Sequence, residues 1–164
     1  MPDELKLKIV GEQVGDQDGE QDGDQDGEQD LAECLALRRQ VFIDEQGVPE
    51  SLEIDGLDPE ATAWVARLGP RVVGTARARI VAGSAKAERV AVRADLRGSG
   101  IGRALMGAIE NWARDLGLRR IALNAQESAI PFYLALGYAV TGEPFDDAGI
   151  PHRAMEKPLL PAGE

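Results

Sequence analysis

Alternating apolar and polar residues along the chain predict a series of β-strands. The two-residue period of strands is found over residues 5–10, 61–68, 71–81, 88–92, 119–124, 138–141 and 153–157. The Gly69-Pro70 pair separates the second and third of these segments, which predicts a β-hairpin. The last two segments are expected to pair as an antiparallel arm at the end of the chain.

Three segments have the spacing of helices instead. Residues 101–116 carry apolar side chains on one helical face, namely Ile101, Leu105, Ile109, Trp112 and Leu116. Asp30 and Glu33 form a capping-box pattern before a helix to about Phe42, whose predicted buried residues are Leu31, Cys34, Leu35, Val41 and Phe42. Ser128 is expected to cap a short helix that stops at Gly137. A strand–helix–strand unit among mixed elements indicates an α/β fold with a mixed sheet.

Residues 11–30 form an acidic tract of five tetrapeptides in register, GEQV-GDQD-GEQD-GDQD-GEQD. The tract supplies nine acidic residues to a chain of net charge −11, and a segment with so few apolar residues cannot offset its ordering entropy. We therefore expect one domain over residues 1–164 with a disordered insert at 11–30. Asp22 to Glu33 fits the calcium-loop pattern, but an acidic repeat produces such matches by chance, and we predict no metal site.

Composition excludes several classes of function. The chain has no basic stripe, and its acidic repeat would repel phosphate, so nucleic-acid binding is not expected. No apolar run approaches the ~20 residues that span a bilayer, and the first residues do not resemble a secretory signal. Cys34 is the single cysteine, and its spacing places it on an apolar helix face, which argues against a role as a nucleophile. A cytoplasmic protein without membrane association is expected.

The most informative stretch is Arg97-Gly98-Ser99-Gly100-Ile101-Gly102, which follows a predicted strand and opens a predicted helix. Such a turn offers unpaired backbone N–H groups to an anion, and glycines let a phosphate approach the backbone closely. The spacing matches neither the dinucleotide fingerprint, because Arg103 stands in place of the last glycine, nor the phosphate loop of nucleotide hydrolases. A diphosphate ligand of another kind is predicted.

Residues 90–106, with Arg97, Gly98 and Gly100 at the R-x-x-G-x-G positions, resemble the acyl-coenzyme A signature of the GNAT N-acetyltransferase superfamily. Four further segments are similar to its ElaA/YjcF-type branch, namely 41–50 with Asp55, 123–126, 132–133 and 149–152. The resemblance covers the chain apart from the acidic insert. It implies a mixed, mostly antiparallel sheet, splayed at its centre between strands 88–92 and 119–125 and flanked by helices.

The resemblance also implies acetyl-coenzyme A as co-substrate and no metal. The pantetheine arm would lie in the splay, and the N–H of Val92 would polarise the thioester carbonyl. The residues expected to contact the coenzyme are Val90, Ala91, Val92, Arg97, Gly98, Ser99, Gly100, Ile101, Gly102, Arg103, Asn124 and Tyr133.

Direct attack of an amine on a thioester requires a base for the amine and a proton donor for the leaving thiol. Tyr133 lies at the position of the family's acid, although a tyrosine packed in the core beside Phe132 would give the same pattern. Glu88, acting directly or through water, and His152, which can titrate near neutral pH, are the candidate bases. Each also has a purely structural interpretation, as the end of a strand or as a hydrogen-bonded histidine.

The expected acceptor contacts are Glu45, Gln46, Asn124, Gln126 and His152. Four acidic residues, Glu45, Glu50, Glu53 and Asp55, would give the wall formed by residues 44–55 a negative character that favours a cationic amine. The predicted function is N-acetyl transfer to a primary amine of a small molecule or peptide. A catalytically silent acyl-coenzyme A-binding domain and an acidic-repeat interaction module are the alternatives. The choice between monomer and homodimer stays open.

Overall fold

The computed structural model describes residues 4–11 and 22–160, in which eight strands form one open, mostly antiparallel sheet. The strands are β1 (Leu5–Ile9), β2 (Thr62–Leu68), β3 (Arg71–Val81), β4 (Ser84–Val92), β5 (Arg120–Gln126), β6 (Ala139–Val140), β7 (Phe145–Asp147) and β8 (Ile150–Pro158). Their order is β1-β2-β3-β4-β5-β8-β6, with β7 also paired to β8. The pair β4–β5 is parallel, from Ala85 opposite Ile121 to Ala87 opposite Leu123. The predicted mixed α/β fold is confirmed.

Four α-helices accompany these strands: α1 (Asp22–Arg38), α2 (Glu50–Glu53), α3 (Ile101–Asp115) and α4 (Ile130–Ala135). A π-helix, Arg39–Glu45, continues directly from α1, and short 3₁₀ turns lie at Asp58–Glu60, Ala94–Leu96 and Glu127–Ala129. π-helical turns are rare in proteins, and those that occur are often found at functional sites. Among the helices of residues 4–11 and 22–160, none has the length and apolar character needed to cross a membrane.

The predicted hairpin of residues 61–81 is confirmed as β2 and β3, but two tight turns were missed. Ala82 and Gly83, with φ of 52° and 80°, join β3 to β4, so β4 begins at Ser84 and not at Glu88. Ala148 and Gly149, with φ of 53° and 76°, join β7 to β8 in the same way. A turn of two left-handed residues matches the right-handed twist of the strands in a hairpin. Such turns usually have the sequence Asn-Gly or Asp-Gly, and here an alanine replaces the first residue, so the turns could not be recognised from the sequence.

The start of α1 differs from the prediction. The helix begins at Asp22, inside the predicted insert at 11–30, while residues 12–21 lie outside the described part of the chain. Asp30 is therefore within the helix and is not its cap. Its carboxylate pairs with Lys8 of β1 at 2.9 Å and Arg67 of β2 at 2.6 Å. The acidic sequence at the start of α1 favours a helix there, because negative charge interacts favourably with the positive end of the helix dipole.

The ion pairs also set which face of α1 is buried. Asp30, Cys34, Arg38 and Val41, spaced for one helical face, are buried. Leu31 and Leu35, which were predicted to be buried, are each 36% exposed, because the face that carries the paired charges turns inward instead. The prediction is therefore correct for Cys34 and wrong for these two leucines.

The described residues divide into two compact units, each with its own buried residues. The first contains residues up to Arg77 together with Arg89–Leu105. In it a Cβ added to Gly74 of β3 would lie 2.7 Å from Ile101 Cγ2 and 3.1 Å from Leu105 Cδ1, so only glycine lets α3 approach this closely.

The second unit contains Ala78–Glu88 and the described residues from Met106 onward. Its largest fully buried side chains come from α3, β5 and β8 and include Met106, Ile109, Ile121 and Met155. Glu110 of α3 is also buried, and its carboxylate accepts hydrogen bonds from Lys157 Nζ at 2.8 Å and Tyr138 Oη at 3.1 Å. Burial and the Glu110 carboxylate raise the pKa of Tyr138, which stays a hydrogen-bond donor.

Candidate functional site

The glycine loop, residues 97–103, joins the end of β4 to α3 in the first unit. Gly98 and Gly100 have φ of 83° and 95°, in the left-handed region that glycine adopts without steric cost. A Cβ built on either residue meets nothing within 4 Å. The two glycines are thus required by the backbone conformation, and the space beside them is open to a ligand.

The N-terminus of α3 supplies hydrogen-bond donors to this loop. The N–H of Ala104 donates to the Gly100 carbonyl at 3.0 Å, so the N–H groups of Ile101, Gly102 and Arg103 come before the first helical hydrogen bond. The Ser99 hydroxyl donates to the carbonyl of Leu96, which holds the loop against the preceding 3₁₀ turn. Free N–H groups at the positive end of a 15-residue helix form an anion-binding arrangement.

Arg97 connects the loop to two other segments of the first unit. Its Nε donates to the Val92 carbonyl at 3.1 Å, and its Nη2 lies 2.7 Å from Glu45 Oε1 at the end of the π-helix. The Arg97 side chain is 46% exposed, so part of the guanidinium faces solvent. Glu45, a predicted acceptor contact, is in this way bound to the glycine loop, and Gln46 follows it directly at the end of the π-helix.

The acidic wall predicted for residues 44–55 is neutralised. Besides the Glu45–Arg97 pair, the carboxylates of the wall form the ion pairs Glu50–Arg39 at 2.5 Å, Glu53–Arg38 at 2.7 Å and Asp55–Arg77 at 2.5 Å. Burial raises the pKa of Asp55, but hydrogen bonds from Arg77 and the Leu57 amide outweigh it and hold this pKa well below its usual range. These four acids are therefore paired with arginines and do not by themselves favour a cationic acceptor, which stays a prediction.

Tyr133 lies on α4, in the second unit, and is 8% exposed. Its ring makes edge-on contacts with Phe132 and Tyr138, with centroids 4.9 Å and 5.7 Å apart. Burial raises the pKa of Tyr133 to about 12, so the phenol stays protonated at neutral pH.

The local structure around Tyr133 departs from the prediction in two ways. Ser128 lies within the 3₁₀ turn Glu127–Ala129, and α4 begins after Ala129 without a side-chain cap. Phe132 is 37% exposed, while Tyr133 is the buried ring of the two, although a tyrosine in the site would leave Phe132 as the residue expected in the core. Adjacent helical residues differ in direction by about 100°, and this rotation does not say which of them is buried.

Glu88, in the second unit, is held by Arg79 of β3. Arg79 Nε lies 2.7 Å from Glu88 Oε1, and Arg79 Nη2 lies 3.0 Å from Glu88 Oε2. Both side chains are largely buried, at 17% and 14% exposed. A bidentate arginine stabilises the ionised carboxylate and orients it, so both oxygens of this candidate base already accept hydrogen bonds.

His152 lies on β8 opposite Gln126 of β5 and Phe145 of β7. Its Nδ1 is 2.7 Å from the Ile150 carbonyl. Since a carbonyl only accepts hydrogen bonds, Nδ1 carries the hydrogen, and Nε2 is the basic nitrogen of the neutral ring. The Phe145 ring stacks on the imidazole with centroids 5.8 Å apart, so His152 is held in one orientation.

The strand register places the predicted polar residues of β5 on one face. Gln126 is opposite His152, and Asn124, two residues earlier and exposed, is opposite Ala154. Residues two apart on a strand share a face, so Asn124 and Gln126 belong to the same surface. Among the site residues, sequence reasoning missed Gly74, although a glycine inside a predicted strand is a signal for close approach of another segment.

Cys34 fits the prediction that it takes no part in the chemistry. The side chain is 1% exposed, and its thiol lies 3.9 Å from the carbonyl oxygen of Trp64. Burial raises the pKa of the Cys34 thiol to about 11, so the nucleophilic thiolate is scarce at neutral pH.

Comparison with known proteins supplies the family. The model of the acetyltransferase (GNAT) domain matches residues 18–159. The uncharacterized N-acetyltransferase YjcF of Bacillus subtilis (strain 168) is 42% identical over 128 residues, which cover 77% of this chain and 91% of that protein.

Solved structures agree with the fold. Escherichia coli ElaA superposes with a TM-score of 0.72 at 24% identity, over 96% of this chain and 99% of that one. An acyl-CoA N-acyltransferase from Pseudomonas aeruginosa superposes with a TM-score of 0.74 at 24% identity, over 94% and 98%. With the glycine loop at the start of α3 and the family model spanning most of the chain, the protein belongs to the GNAT acetyltransferase family, with YjcF as a sequence relative and ElaA as a structural neighbour.

Proposed function

We propose that this chain transfers an acetyl group from acetyl-coenzyme A to a primary amine by direct attack. The observation that carries the proposal is the glycine loop, where two left-handed glycines with open space beside them lead into the free N–H groups of α3. An anion of the pyrophosphate type matches these donors. Arg97 and Arg103 add positive charge on either side of the three glycines.

In this proposal the strand that precedes the loop holds the acyl end of the coenzyme. The backbone groups of Val90, Ala91 and Val92 would pair with the pantetheine arm, and the Val92 N–H would donate to the thioester carbonyl. A donor aimed at the oxygen where negative charge develops can contribute on the order of 10²–10³ in rate. Bond formation between the amine nitrogen and the carbonyl carbon is then followed by cleavage of the carbon–sulfur bond.

His152 is the better supported of the two candidate bases. Its Nδ1 hydrogen is engaged by the Ile150 carbonyl, which leaves Nε2 as the basic nitrogen that can take the proton from an ammonium group. Glu88, by contrast, already accepts hydrogen bonds on both oxygens from Arg79. Glu88 would instead serve as a fixed negative charge, or accept the proton through water.

Tyr133 is proposed as the donor to the departing thiolate. The phenol keeps its proton at neutral pH because burial raises its pKa to about 12. The same shift makes it a weak acid, so its role is a hydrogen bond that stabilises the developing thiolate, completed by proton transfer as coenzyme A leaves. Asn124 and Gln126, on one face of β5, are proposed to orient the acceptor.

The coenzyme assignment is tested by thermal unfolding with and without acetyl-coenzyme A. At a ligand concentration of ~100 times Kd, stabilisation by about 2.7 kcal/mol is expected. Gly100→Asp should abolish the shift by placing a carboxylate among the N–H groups. Gly83→Asp is the matched control, because Gly83, in the turn between β3 and β4, has a similar left-handed φ of 80° and equally open surroundings.

Turnover is tested by release of the free thiol from acetyl-coenzyme A in the presence of polyamines, amino acids, aminoglycosides and peptides. Thiol release with one amine class identifies the acceptor type. Coenzyme binding without release for any amine would favour the silent acyl-coenzyme A-binding domain. No stabilisation of the wild-type protein by acetyl-coenzyme A would contradict both.

A further inference from the structure

Arg89 interrupts strand β4 with an unusual backbone conformation. Its φ is +54°, a left-handed value that non-glycine residues seldom adopt. Such a residue inside a strand bends the backbone and redirects the residues that follow, as β-bulges do beside active sites. The three residues that follow Arg89 are Val90, Ala91 and Val92, the proposed contacts of the pantetheine arm and thioester.

The Arg89 side chain is docked on a different part of the first unit. Its Nη2 donates to the carbonyl oxygens of Leu52 at 3.1 Å and Glu53 at 3.2 Å, and to Asp55 Oδ2 at 3.3 Å. The side chain is 23% exposed. One nitrogen therefore bridges three acceptors within residues 52–55, which comprise the end of α2 and the two residues after it.

The segment to which Arg89 binds, residues 52–55, is itself fixed by ion pairs with two other arginines. Glu53 accepts from Arg38 Nε at 2.7 Å, and Asp55 accepts from Arg77 Nη2 at 2.5 Å. Asp58 lies 2.6 Å from Arg38 Nη1 and 3.1 Å from Arg77 Nη1. The Arg38 and Arg77 side chains are only 4% and 1% exposed. Three arginines and three carboxylates thus form one network, and removing a single partner from a buried network is costly.

A left-handed non-glycine residue is strained and persists only where surrounding contacts over-determine it. For Arg89 those contacts are the three hydrogen bonds of its own guanidinium. We infer that Arg89 is a positioning residue, whose guanidinium, docked on Leu52, Glu53 and Asp55, holds the left-handed backbone that aims the Val92 N–H at the thioester carbonyl.

The inference rests on the proposed function, since it assigns a task to the Val92 N–H. It also explains why an arginine stands at a position that glycine could occupy without strain. A glycine would allow the left-handed conformation along with others, whereas the docked arginine selects it. The acceptor-side segment 50–55 and the coenzyme strand β4 are coupled through this one side chain.

The test is the carbonyl stretching frequency of acetyl-coenzyme A labelled with ¹³C at the thioester carbonyl and bound to the protein. A hydrogen bond from the Val92 N–H lowers this frequency relative to the free thioester. Arg89→Ala should return it toward the free value. Arg89→Gly should keep most of the shift, because glycine can adopt the left-handed backbone. Arg39→Ala is the control, since Arg39 forms an exposed ion pair with Glu50 on the same segment and should leave the frequency unchanged.

Arg89→Gln covers the case in which the alanine variant does not fold. Its amide ends at the position of Arg89 Nε, so it keeps the packing of the stem and loses the three Nη2 hydrogen bonds. It should also lose the shift, and turnover should fall by roughly 10²-fold, as for loss of an oxyanion donor.

Retention of the wild-type frequency in Arg89→Ala or Arg89→Gln would overturn the inference, as would equal losses in the alanine and glycine variants. If the wild-type protein binds the labelled coenzyme with no shift, the role of Val92 is wrong. If the wild-type protein does not bind the labelled coenzyme at all, the proposed function itself fails. Both of these results are seen in the wild-type protein, so they can be told apart from a failure of the Arg89 inference, which appears only in the variants.

Discussion

Arg97 of the glycine loop is bound to Glu45 at the end of the π-helix, with 2.7 Å between Nη2 and Oε1. The proposed coenzyme loop and the segment expected beside the acceptor thus share an ion pair. A pyrophosphate that approaches Arg97 must compete with the Glu45 carboxylate. Coenzyme binding would release Glu45, which would then be available to an ammonium group of the acceptor.

Glu45→Gln should therefore tighten binding of acetyl-coenzyme A by about three- to fivefold, the scale of an exposed ion pair worth up to about 1 kcal/mol. Titration calorimetry at low salt measures the change. Glu50→Gln is the control, because Glu50 lies on the same segment but pairs with Arg39. If both variants changed the affinity equally, the cause would be general repulsion between the carboxylates and the anionic coenzyme. The same conclusion would follow if Glu45→Gln still tightened binding when Arg97 is also replaced by alanine.

Gly74→Ala should weaken coenzyme binding from inside the protein. The added Cβ would lie 2.7 Å from Ile101 Cγ2 and 3.1 Å from Leu105 Cδ1, so the Ile101 side chain must shift, and we expect the start of α3 to move with it. Overpacking of this kind typically costs about 1–3 kcal/mol, which denaturant unfolding can measure. The coenzyme affinity should fall as well, because Ile101 opens the helix whose N–H groups are proposed to bind pyrophosphate.

Gly107→Ala provides the matched control for this variant. Gly107 lies on the same helix, and a Cβ there meets nothing within 4 Å. It should stabilise the protein by up to about 1 kcal/mol through helix propensity and leave the affinity unchanged. If the Gly74→Ala protein bound the coenzyme with wild-type affinity, binding would not depend on how α3 packs against Gly74.

Tyr133→Phe should lower turnover with a known acceptor by ~10²–10⁴-fold, as for loss of a general acid, with little change in KM for acetyl-coenzyme A. The ring contacts with Phe132 and Tyr138 remain, so stability should be nearly unaffected. Tyr138→Phe is the contrasting variant, because its hydroxyl bonds to buried Glu110. It should lower stability with little effect on turnover. Full activity of Tyr133→Phe would assign Tyr133 to packing alone.

Stability should decline at alkaline pH in two steps, the first from the Cys34 thiol and the second from the buried phenols of Tyr133 and Tyr138, whose pKa values are both raised. The pKa of Cys34 is raised from 9.0 to about 11, and that of Tyr133 from 10.0 to about 12, both by burial. A group with a raised pKa in the folded state gives full stability below its unfolded pKa, and this is lost as pH rises through the folded value. Denaturant unfolding from pH 8 to 12 should show the decline beginning near pH 9.

Cys34→Ala identifies the first step, since it should delay the decline until about pH 10. The wild-type thiol should also resist alkylating reagents at pH 8 unless the protein is unfolded. Rapid modification of folded protein at that pH would contradict the burial of Cys34.

The confirmed predictions of structure are those that depend on local sequence. The turn from β4 into α3 at the glycine loop, α3 itself and the β2–β3 hairpin follow from spacing and turn residues within a few positions. The ion pairs did not follow, because Asp30 with Arg67 and Arg97 with Glu45 join residues far apart in the chain. The acidic residues of 44–55 were visible, but their arginine partners were not, so their charge was misjudged.

Backbone conformation was similarly out of reach. The residues next to Arg89 in the sequence do not indicate whether its backbone is left-handed or extended. The hydrogen bonds of its guanidinium are made to residues more than thirty positions away in the chain. The exchange of roles between Phe132 and Tyr133 has a related cause. Helical spacing separates their directions, but burial depends on what the rest of the second unit places against α4.

The start of α1 at Asp22 bears on how the length of the acidic tract can vary. Four residues advance a helix by slightly more than one turn, a drift of about 40° per tetrapeptide. Asp30 is held from outside the tract by Lys8 and Arg67, so a variant with one tetrapeptide more or fewer is expected to keep Asp30 paired and the glycine loop undisturbed.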